Sequence, residues 1–401
     1  LITTLLEMCF SNMEGGMEIS LNKIKEDDII KILFAENPGI VIQVKDKHKE
    51  EVKKILEDAG IGYVKLGKPT EERHILVEKG DATYQFGIDY LRDVWYSTSY
   101  LLDRKQSMNG CAKKRFENYK KQPLEFVFDK SFTGKLSQFG LNPDRRTPTG
   151  IKAAIIREKG TNGEREMAYM LYLAGFDVKD VTMTDLVSGR ETLEDINFIV
   201  FCGGFSNSDV LGSAKGWAGA FLFNPKAKAA LDNFYARKDT LSLGVCNGCQ
   251  LMIELNLINP DFTKKAKMLH NDSHKFESKF VGVTVPMNRS VMFGSLSGSK
   301  LGIWVAHGEG KFSLPYHEDK YNVVLKYSYD EYPGNPNGSD YSVAGLASPD
   351  GRHLAMMPHL ERSCFPWQNA YYPADRIKND QITPWMEAFV NARKWIEMNK
   401  K

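Results

Sequence analysis

The 401-residue sequence has little cysteine, almost no net charge and no long apolar run, and each shortage excludes a class of protein. Its six cysteines are too few and too scattered for a disulfide framework, which fits a reducing cytoplasm. A net charge of +2 indicates neither a nucleic-acid partner nor a membrane surface. No apolar stretch approaches the ~20 residues of a membrane-spanning helix. We therefore expect a cytoplasmic protein without a membrane partner.

The N-terminus, LITTLLEMCF, has neither an initiator methionine nor the basic segment that opens a signal peptide. It begins as if inside an amphipathic helix, and we expect the sequence to be a fragment of a longer polypeptide. The chain is longer than one ordinary domain. Its pattern predicts three parts: a small α/β unit at 1–90, a basic connecting segment at 91–150 and a larger α/β domain at 151–401.

The first part has the pattern of a small α/β unit and no catalytic spacing. A helix is predicted over Lys47–Ala59, because apolar residues recur there at helical spacing and Gly60 follows. Short apolar runs predict strands, among them Gly39–Val44, Gly62–Leu66 and His74–Val77. Ordinary packing explains this pattern, so we interpret the unit as scaffold.

Lysine and arginine cluster between residues 104 and 121, with Phe116 and Tyr119 among them. Aromatic residues within a basic run suit nucleic-acid binding. Such runs are more often solvated surface, however, and the chain has no overall basicity. The segment is therefore interpreted as a connection, which ends in the Pro/Gly-rich stretch LNPDRRTPTG (141–150).

From residue 151 onward, predicted strands and helices alternate. Ile151–Arg157, Ile196–Cys202 and Leu241–Val245 are apolar runs typical of strands covered on both faces, and Glu164–Ala174 has helical periodicity. This alternation predicts an α/β fold with an open, mostly parallel sheet and helices on both faces. Ligands bind beyond the carboxyl ends of such strands, and glycine-rich turns follow the second and third of them.

The turn GVCNGCQ (244–250) places Cys246 and Cys249 three positions apart, and three interpretations compete. A structural zinc site needs about four ligands in paired clusters, but no second C-x-x-C exists, and His270 and His274 lack an accompanying acidic motif. A redox pair at the start of a helix is compatible with the local pattern. The third interpretation is a nucleophile elbow, in which a strand turns sharply into a helix with one reactive side chain at the bend.

Two flanking glycines favour the elbow. Gly244 and Gly248 stand two positions either side of Cys246, where a close approach of strand and helix leaves no room for larger side chains. The start of the following helix favours the thiolate form of Cys246. Cys249 is then expected to face the core, and a buried core thiol is also the alternative for Cys246 itself.

A nucleophilic cysteine needs a base and a residue that orients the base. His359 follows the apolar run Leu354–Met357, and Glu361 lies two positions later, on the same side of an extended backbone. We expect His359 to face Cys246 and Glu361 to hold the other ring nitrogen. The alternative is a structural role for His359, because a single histidine near a strand end more often has such a role.

In addition to these residues, several longer sequence segments resemble the glutaminase end of the large, single-chain phosphoribosylformylglycinamidine synthases. That end is a class I, triad-type glutamine amidotransferase domain with a flavodoxin-like sheet. Residues 1–104 resemble the part of those enzymes just before it. The segments that resemble the glutaminase end are FCGGFSNSDVLGSAKGWA (201–218), HNDSHKFESKF (270–280), VAHGEGKF (305–312), YPGNPNGS (332–339) and MMPHLER (356–362).

The resemblance implies a role for each matching residue. The implied catalytic residues are the nucleophile Cys246, the base His359 and its orienting residue Glu361. The implied oxyanion-hole residues are Gly204 and Phe205 in one turn and the backbone N–H of Asn247. The implied glutamine-binding residues are Gln250, His307 and Gly308.

The implied activity is glutamine hydrolysis through a glutamyl thioester, with the ammonia passed to ATP-dependent conversion of formylglycinamide ribonucleotide into formylglycinamidine ribonucleotide in purine synthesis. L-glutamine and the upstream synthetase domains of the same polypeptide are the implied partners, without nucleic acid. We expect no metal or cofactor in the glutaminase domain, and ATP and Mg²⁺ in the upstream part.

Three departures from the family pattern leave alternatives open. Leu360 stands where the family has proline in H-P-E, Asn207 and Ser208 replace Tyr-Gly, and the words around His274 and Lys279 lack the usual arginines. These changes admit a catalytically impaired regulatory or scaffold domain. An amidotransferase domain that serves another acceptor is the third alternative.

Overall fold

The computed structural model describes residues 1–122 and 124–400. Its chain forms two compact units, Leu1–Lys105 and Gln106–Lys401. The helices that begin in the first unit are α1 (Ile2–Phe10), α2 (Ile29–Phe34), α3 (Lys49–Asp58) and α4 (Ile88–Gln106). Its strands are β1 (Gly16–Ser20), β2 (Gly67–Thr70), β3 (His74–Lys79) and β4 (Ala82–Gly87).

The four strands of the first unit form one sheet in the order β2-β1-β3-β4, with β1 parallel to β3 and the outer pairs antiparallel. Its core is formed by α1 and one face of the sheet, where Leu5, Ile19, Ile75 and Val77 are fully or almost fully buried. The predicted helix at 47–59 corresponds to α3, and the predicted strand at His74–Val77 lies within β3.

Two strand predictions in this unit were wrong. Gly39–Val44 and residues 61–66 are irregular, and β2 begins only at Gly67. In the first of these segments, Ile40 is 90% exposed and Ile42 is 57% exposed. Apolar, β-branched composition predicts a strand only where a neighbouring strand offers hydrogen bonds, and both sides of β1 are already occupied by β2 and β3.

The predicted boundary at 90/91 falls inside α4, whereas the compact units meet at Lys105 and Gln106. The division into parts at 1–90, 91–150 and 151–401 stays a prediction. Within the second unit, Phe126 and Phe128 of the segment before residue 150 pack against the core. No helix in the described part of the chain is both long and apolar enough to cross a bilayer.

The second unit contains a large sheet with helices packed around it. The helices are α5 (Cys111–Glu117), α6 (Glu164–Ala174), α7 (Met183–Ser188), α8 (Lys215–Phe223), α9 (Pro225–Ala236), α10 (Asn247–Glu254) and α11 (Trp385–Asn399). The strands up to the middle of the unit are β5 (Lys152–Arg157), β6 (Thr161–Asn162), β7 (Asp177–Thr182), β8 (Phe198–Phe201), β9 (Gly203–Gly204) and β10 (Leu241–Val245). The remaining strands are β11 (Lys267–Leu269), β12 (Glu277–Thr284), β13 (Lys300–His307), β14 (Lys311–Ser313), β15 (Asn322–Tyr327), β16 (Val343–Ala347) and β17 (His353–Met356).

The large sheet has nine strands in the order β13-β12-β15-β16-β17-β10-β8-β5-β7. The five strands from β17 to β7 are parallel, which confirms the predicted α/β fold with an open parallel sheet. From β17 to β13 the sheet continues with antiparallel pairs, an extension that the sequence pattern did not predict. Every residue of β8 and β10 is buried, as expected for strands covered on both faces.

Helices cover both faces of the parallel half. The connection from β5 through α6 leads to β7 at one edge, whereas the later connections lead back toward β8 and β10. Right-handed crossovers in opposite directions place their helices on opposite faces. Consistently, α6 packs with α11, while α8 packs with α9 and α10.

This topology brings three distant segments to one edge of the sheet. Strands β8, β10 and β17 are neighbours and run parallel, so their carboxyl ends lie side by side. The residues that follow these ends are Gly203–Gly204, Cys246 and His359. The sheet therefore brings together predicted site residues that span more than 150 residues of the chain, from Gly203 to His359.

Candidate active site

Cys246 lies at a sharp bend between β10 and α10. Its φ of 52° and ψ of −105° are strained for a residue with a Cβ. The surrounding backbone holds it there: its N–H donates to the Met356 carbonyl at 2.9 Å, and its carbonyl accepts from the Gln250 N–H at 3.0 Å. Such strain persists only where neighbouring structure imposes it, and it is typical of an elbow that presents a side chain.

The flanking glycines are required by packing. A Cβ on Gly244 would lie 2.5 Å from the Gly248 carbonyl oxygen and 2.6 Å from Met252 Sδ. A Cβ on Gly248 would lie 2.1 Å from the Phe201 carbonyl oxygen. The helix therefore packs directly on the strands beneath it, as the elbow interpretation requires.

The second cysteine of the turn has a different environment. Cys249 is fully buried, and burial raises the pKa of its thiol well above the ordinary value. A protonated, inaccessible thiol is a poor partner in thiol exchange. Cys246 borders an open cavity, whereas Cys249 packs in the core, so the redox interpretation finds no support in their positions.

His359 and Glu361 form a buried pair beside Cys246. His359 Nδ1 lies 2.6 Å from Glu361 Oε1, and each residue is only 2% exposed. The backbone of His359 is extended, but Glu361 already lies in a 3₁₀ turn over Leu360–Arg362, so the expected extended geometry ends at His359. The pair forms nevertheless, because the turn still directs the carboxylate toward the ring.

His359 and Cys246 both border the space left by the missing side chain of Gly203. Burial lowers the pKa of His359, but the Glu361 charge and its hydrogen bond, with a contribution from Cys246, raise it to about 10. A proton held on His359 at neutral pH places a positive charge beside Cys246. Gly203 leaves room for this arrangement, since a Cβ there would lie 2.8 Å from His359 Cε1 and 3.4 Å from Cys246 Cβ.

The predicted oxyanion-hole residues differ in what their backbones offer. The Phe205 N–H already donates to the Gly160 carbonyl at 2.9 Å. Gly204, with a φ of 121°, and Asn247, the first residue of α10, are the better candidates. The first N–H groups of a helix have no partner within the helix. The Asn247 side chain accepts from the Ser206 N–H at 3.1 Å and donates to Gln250 Oε1 at 2.9 Å, which ties this loop to the helix.

A cavity of about 210 Å³ opens beside Cys246. Of the residues predicted from the sequence, it is lined by Gly204, Phe205, Cys246, Gln250, His307 and Gly308. Asn247, His359 and Glu361 are not among its lining residues. Asn247 follows Cys246 directly, and His359 and Cys246 both border Gly203, so the predicted site residues lie close to one another.

His307 is buried in the wall of this cavity. It is 2% exposed, and burial together with the positive charge of His359 lowers its pKa to about 3. Its imidazole is therefore neutral at physiological pH, with one donor and one acceptor nitrogen. Neither nitrogen has a hydrogen-bond partner within residues 1–122 and 124–400.

Among the other residues that line the cavity, sequence reasoning assigned no role to Asp209, Ser213, Phe276 and Ala306. Ala306 contributes its carbonyl, which accepts from Cys246 Sγ at 3.5 Å. All four lie inside the sequence segments that carried the family resemblance. Their place in these segments could have marked them as candidates, but a matching segment does not indicate which of its side chains face a cavity.

His270 and His274, which the zinc interpretation considered, lie at the edge of the cavity with their rings stacked, 5.6 Å between centroids. His270 Nδ1 is 3.9 Å from Glu309 Oε1. No group of three or more histidine, cysteine, aspartate or glutamate residues in the described part of the chain is arranged to hold a metal ion.

The departures from the family pattern are accommodated locally. Leu360 is fully buried, and its carbonyl accepts from Cys364 Sγ at 3.2 Å. Ser208 has a φ of 56°, in the left-handed region that glycine adopts without strain. Lys279 lies 2.6 Å from the buried carboxylate of Glu277, so lysine takes part in an ion pair at this position.

Comparison with known proteins places these observations in a family. Residues 150–396 match the model of the CobB/CobQ-like glutamine amidotransferase domain. The chain is 38% identical to phosphoribosylformylglycinamidine synthase of Homo sapiens over 98% of its length and 31% of that protein. It is 36% identical to the probable phosphoribosylformylglycinamidine synthase, chloroplastic/mitochondrial, of Arabidopsis thaliana over 99% of its length and 29% of that protein.

The chain thus spans about a third or less of the curated relatives it matches, with 32% the largest share among those compared. Among solved structures, PurLQS from Thermotoga maritima is 27% identical, covers 63% of this chain and 99% of its own, and has a TM-score of 0.47. The curated relatives at 36–38% identity confirm the resemblance predicted from the sequence segments. The chain belongs to the family of CobB/CobQ-like glutamine amidotransferase domains.

Proposed function

We propose that this chain hydrolyses L-glutamine at Cys246 through a glutamyl thioester, and that the ammonia serves formylglycinamidine ribonucleotide synthesis in purine biosynthesis. The observation that carries the first part is the position of His359 next to Cys246 at Gly203, with His359 Nδ1 held by Glu361 at 2.6 Å. A strained cysteine, a base and an orienting carboxylate are the parts that thiol-based acyl transfer needs.

The first step is attack of the Cys246 thiolate on Cδ of the glutamine side chain, which forms a C–S bond and moves the carbonyl electron pair onto oxygen. The backbone N–H groups of Gly204 and Asn247 are proposed to stabilise this oxyanion. Each such donor is worth about 3–4 kcal/mol in related reactions. The cavity beside Cys246, with a volume of about 210 Å³, offers space for the substrate.

In the second step the intermediate collapses and the C–N bond breaks. His359 gives its proton to the departing nitrogen, which leaves as ammonia, and a glutamyl thioester stays on Cys246. In the third step His359 takes a proton from water, and the resulting hydroxide attacks the thioester. Glutamate leaves, and the thiolate returns.

The destination of the ammonia is inferred from the relatives. Those with 35–38% identity carry the name phosphoribosylformylglycinamidine synthase, and this chain spans only part of each. We assign the ATP-dependent step, with its ATP and Mg²⁺, to synthetase domains upstream in the same polypeptide, and we expect a cytoplasmic location. In water at pH 7 ammonia is mostly ammonium, so direct transfer to an upstream site preserves the reactive form.

We favour this function over an impaired regulatory domain, because the His359–Glu361 contact is present although leucine occupies position 360. The decisive experiment treats the chain with a glutamine-analogue electrophile and maps the label by peptide mass. We expect the label on Cys246, and none after Cys246→Ser, while the matched variant Cys9→Ser still labels at Cys246. A label at another cysteine would contradict the assignment.

Ammonia release from glutamine gives the second readout. Cys246→Ser is expected to abolish turnover, whereas Cys9→Ser should retain it. Slow turnover by the chain alone is compatible with the proposal, because such sites can close only against a partner domain. The labelling experiment does not depend on that closure.

A further inference from the structure

We propose that Gly160 is a positioning residue for the oxyanion hole, because it lets the segment 158–162 hold the Gly203–Gly204 turn with the Gly204 N–H facing the cavity. The inference rests on the proposed glutamine hydrolysis and adds a residue that acts on the reaction through the backbone of another. Gly160 is not among the residues that line the cavity, and the sequence pattern assigned it no role.

The segment 158–162 and the turn form a short antiparallel ladder. Strand β6 pairs with β9, so that Thr161 lies opposite Gly204 and Asn162 lies opposite Gly203. The segment follows β5 and the turn follows β8, and these two strands are parallel neighbours in the large sheet. The ladder therefore joins the carboxyl ends of two adjacent strands at the edge where the site lies.

Backbone contacts fix the turn from two sides. On one side, the Phe205 N–H donates to the Gly160 carbonyl at 2.9 Å, which extends the ladder beyond the two strands. On the other side, the Ser206 N–H donates to Asn247 Oδ1 at 3.1 Å. The turn is thus held between the segment 158–162 and the first residue of α10, which carries the second proposed oxyanion donor.

The register of the ladder sets the direction of the Gly204 N–H. Successive N–H groups along an antiparallel strand point alternately toward the partner strand and away from it. The Phe205 N–H points toward Gly160, so the N–H of the preceding Gly204 points away from the segment 158–162. Gly204 lines the cavity that Cys246 borders, and this N–H is therefore free to donate to an oxyanion formed on Cys246.

Gly160 permits the close approach of the two backbones. Its φ is 93°, and a Cβ at this position would lie 2.2 Å from the Phe205 carbonyl oxygen. The opposite side is equally confined, since a Cβ on Gly204 would lie 2.6 Å from Thr161 Cα. A side chain at position 160 must push the Phe205 peptide away, and the adjoining Gly204 moves with it.

The test measures the thiol and the oxyanion donors separately in the 401-residue chain. Alkylation of Cys246 by iodoacetamide displaces iodide from a saturated carbon and forms no oxyanion, so its rate reports the thiol alone. Glutarate semialdehyde, an aldehyde with the carbon chain of glutamate, adds reversibly to a thiol. The C–S bond forms, the carbonyl electron pair moves onto oxygen, and that oxygen takes a proton. Protection of Cys246 from alkylation by this aldehyde, followed by peptide mass mapping, therefore reports the donors that face the new oxygen.

In Gly160→Ala we expect the alkylation rate of Cys246 to stay close to that of the unmodified chain. The aldehyde concentration that gives half protection should rise about tenfold, since one hydrogen bond is weakened. Ammonia release should fall by about 10²-fold, the order expected for loss of one oxyanion donor. The matched control is Gly150→Ala, which has a φ of 76° and open space around its Cβ, and which should change neither the alkylation nor the protection.

A second variant covers the case in which Gly160→Ala does not fold. Thr161→Val removes the hydroxyl group that donates to the Glu158 carbonyl at 2.8 Å and closes the segment 158–162. It should weaken protection by the aldehyde in the same direction, by a smaller factor, with alkylation of Cys246 preserved. Unchanged protection in Thr161→Val would then overturn the inference.

In a folded Gly160→Ala, the inference is overturned if protection by the aldehyde is unchanged, or if the alkylation rate falls together with protection. The second result would show that the segment supports the thiol and the surrounding fold rather than the oxyanion hole. The proposed function fails separately, when the aldehyde gives the unmodified chain no protection at any concentration. The two failures are thus distinguishable.

Discussion

His359 Nδ1 lies 2.6 Å from Glu361 Oε1, with both side chains shielded from solvent. The second carboxylate oxygen, Oε2, has no hydrogen-bond partner within the described residues. The carboxylate therefore contacts the histidine through Oε1, and the Nε atom of Arg362 lies 3.8 Å from that same Oε1. A charge placed this way orients the ring and keeps it protonated.

Replacing that charge should impair catalysis more than folding. We expect Glu361→Gln to reduce the rate of ammonia release by about 10²–10⁴-fold, since the analogous change in a serine triad costs ~10⁴. Because the Glu361 charge raises the pKa of His359, the pH–rate profile should also shift toward lower pH on its alkaline side. Glu166→Gln, which alters the exposed carboxylate beside Arg362, is the control and should change little. An unchanged profile in Glu361→Gln would argue against a positioning role.

Gly203 is predicted to be essential for the contact between thiol and imidazole. In Gly203→Ala the new methyl group would lie 2.8 Å from His359 Cε1, so the ring must move away from Cys246. We expect a fall of about 10²-fold in glutamine hydrolysis, the order reported for a 1 Å misplacement of reacting groups. Gly294→Ala has open space around its Cβ and should retain activity. Equal activity of the two variants would show that the ring tolerates displacement.

Leu360→Pro should separate stability from catalysis. His359 has extended backbone and Leu360 begins a 3₁₀ turn, positions that accept proline and its preceding residue. The variant loses a fully buried leucine side chain, so we expect the free energy of unfolding to fall by about 1–3 kcal/mol. Ammonia release should stay within about threefold of the original chain, by the same backbone argument. A loss of activity comparable to that of Glu361→Gln would mean that the leucine itself supports the site.

A buried histidine outside the cavity should make stability depend on pH. Burial, followed by the charge of Arg352, lowers the pKa of His353 to about 3, although Asp350 raises it. A histidine whose folded pKa is depressed is neutral in the fold, and the unfolded chain binds the extra proton below about pH 6.5. The contribution of His353 to the free energy of unfolding is therefore present above that pH and is lost as the pH falls from about 6.5 toward 3.

Urea unfolding of the chain at pH 7 and pH 5 measures this effect. From the linkage relation we expect His353 to account for about 2 kcal/mol of the decrease in unfolding free energy between these values. His353→Gln, which can still hydrogen bond to Ser242, should show a correspondingly smaller decrease. His317→Gln, at an exposed site, is the control and should follow the original chain. An identical pH dependence in His353→Gln and the original chain would refute the assignment.

The sequence predicted the parallel half of the sheet well because its strands are continuous apolar runs between helices with clear periodicity. It failed at Gly39–Val44, where the same apolar composition is present but no neighbouring strand pairs with it. It also missed the antiparallel extension through β12, β13, β15 and β16. Strand pairing is a relation between distant segments, and local pattern carries little information about it.

By itself, the sequence determined the elbow at Cys246, because a glycine two positions either side of a cysteine reflects local backbone and packing requirements. It also determined the spacing of His359 and Glu361 and the family to which the words belong. Only the tertiary structure decided that these segments meet, because β8, β10 and β17 lie side by side although they are far apart in the chain. The same folding decided that Cys246, Gln250 and His307 line one cavity. Which side chains face a common space depends on how strands and loops pack, and no local pattern specifies that.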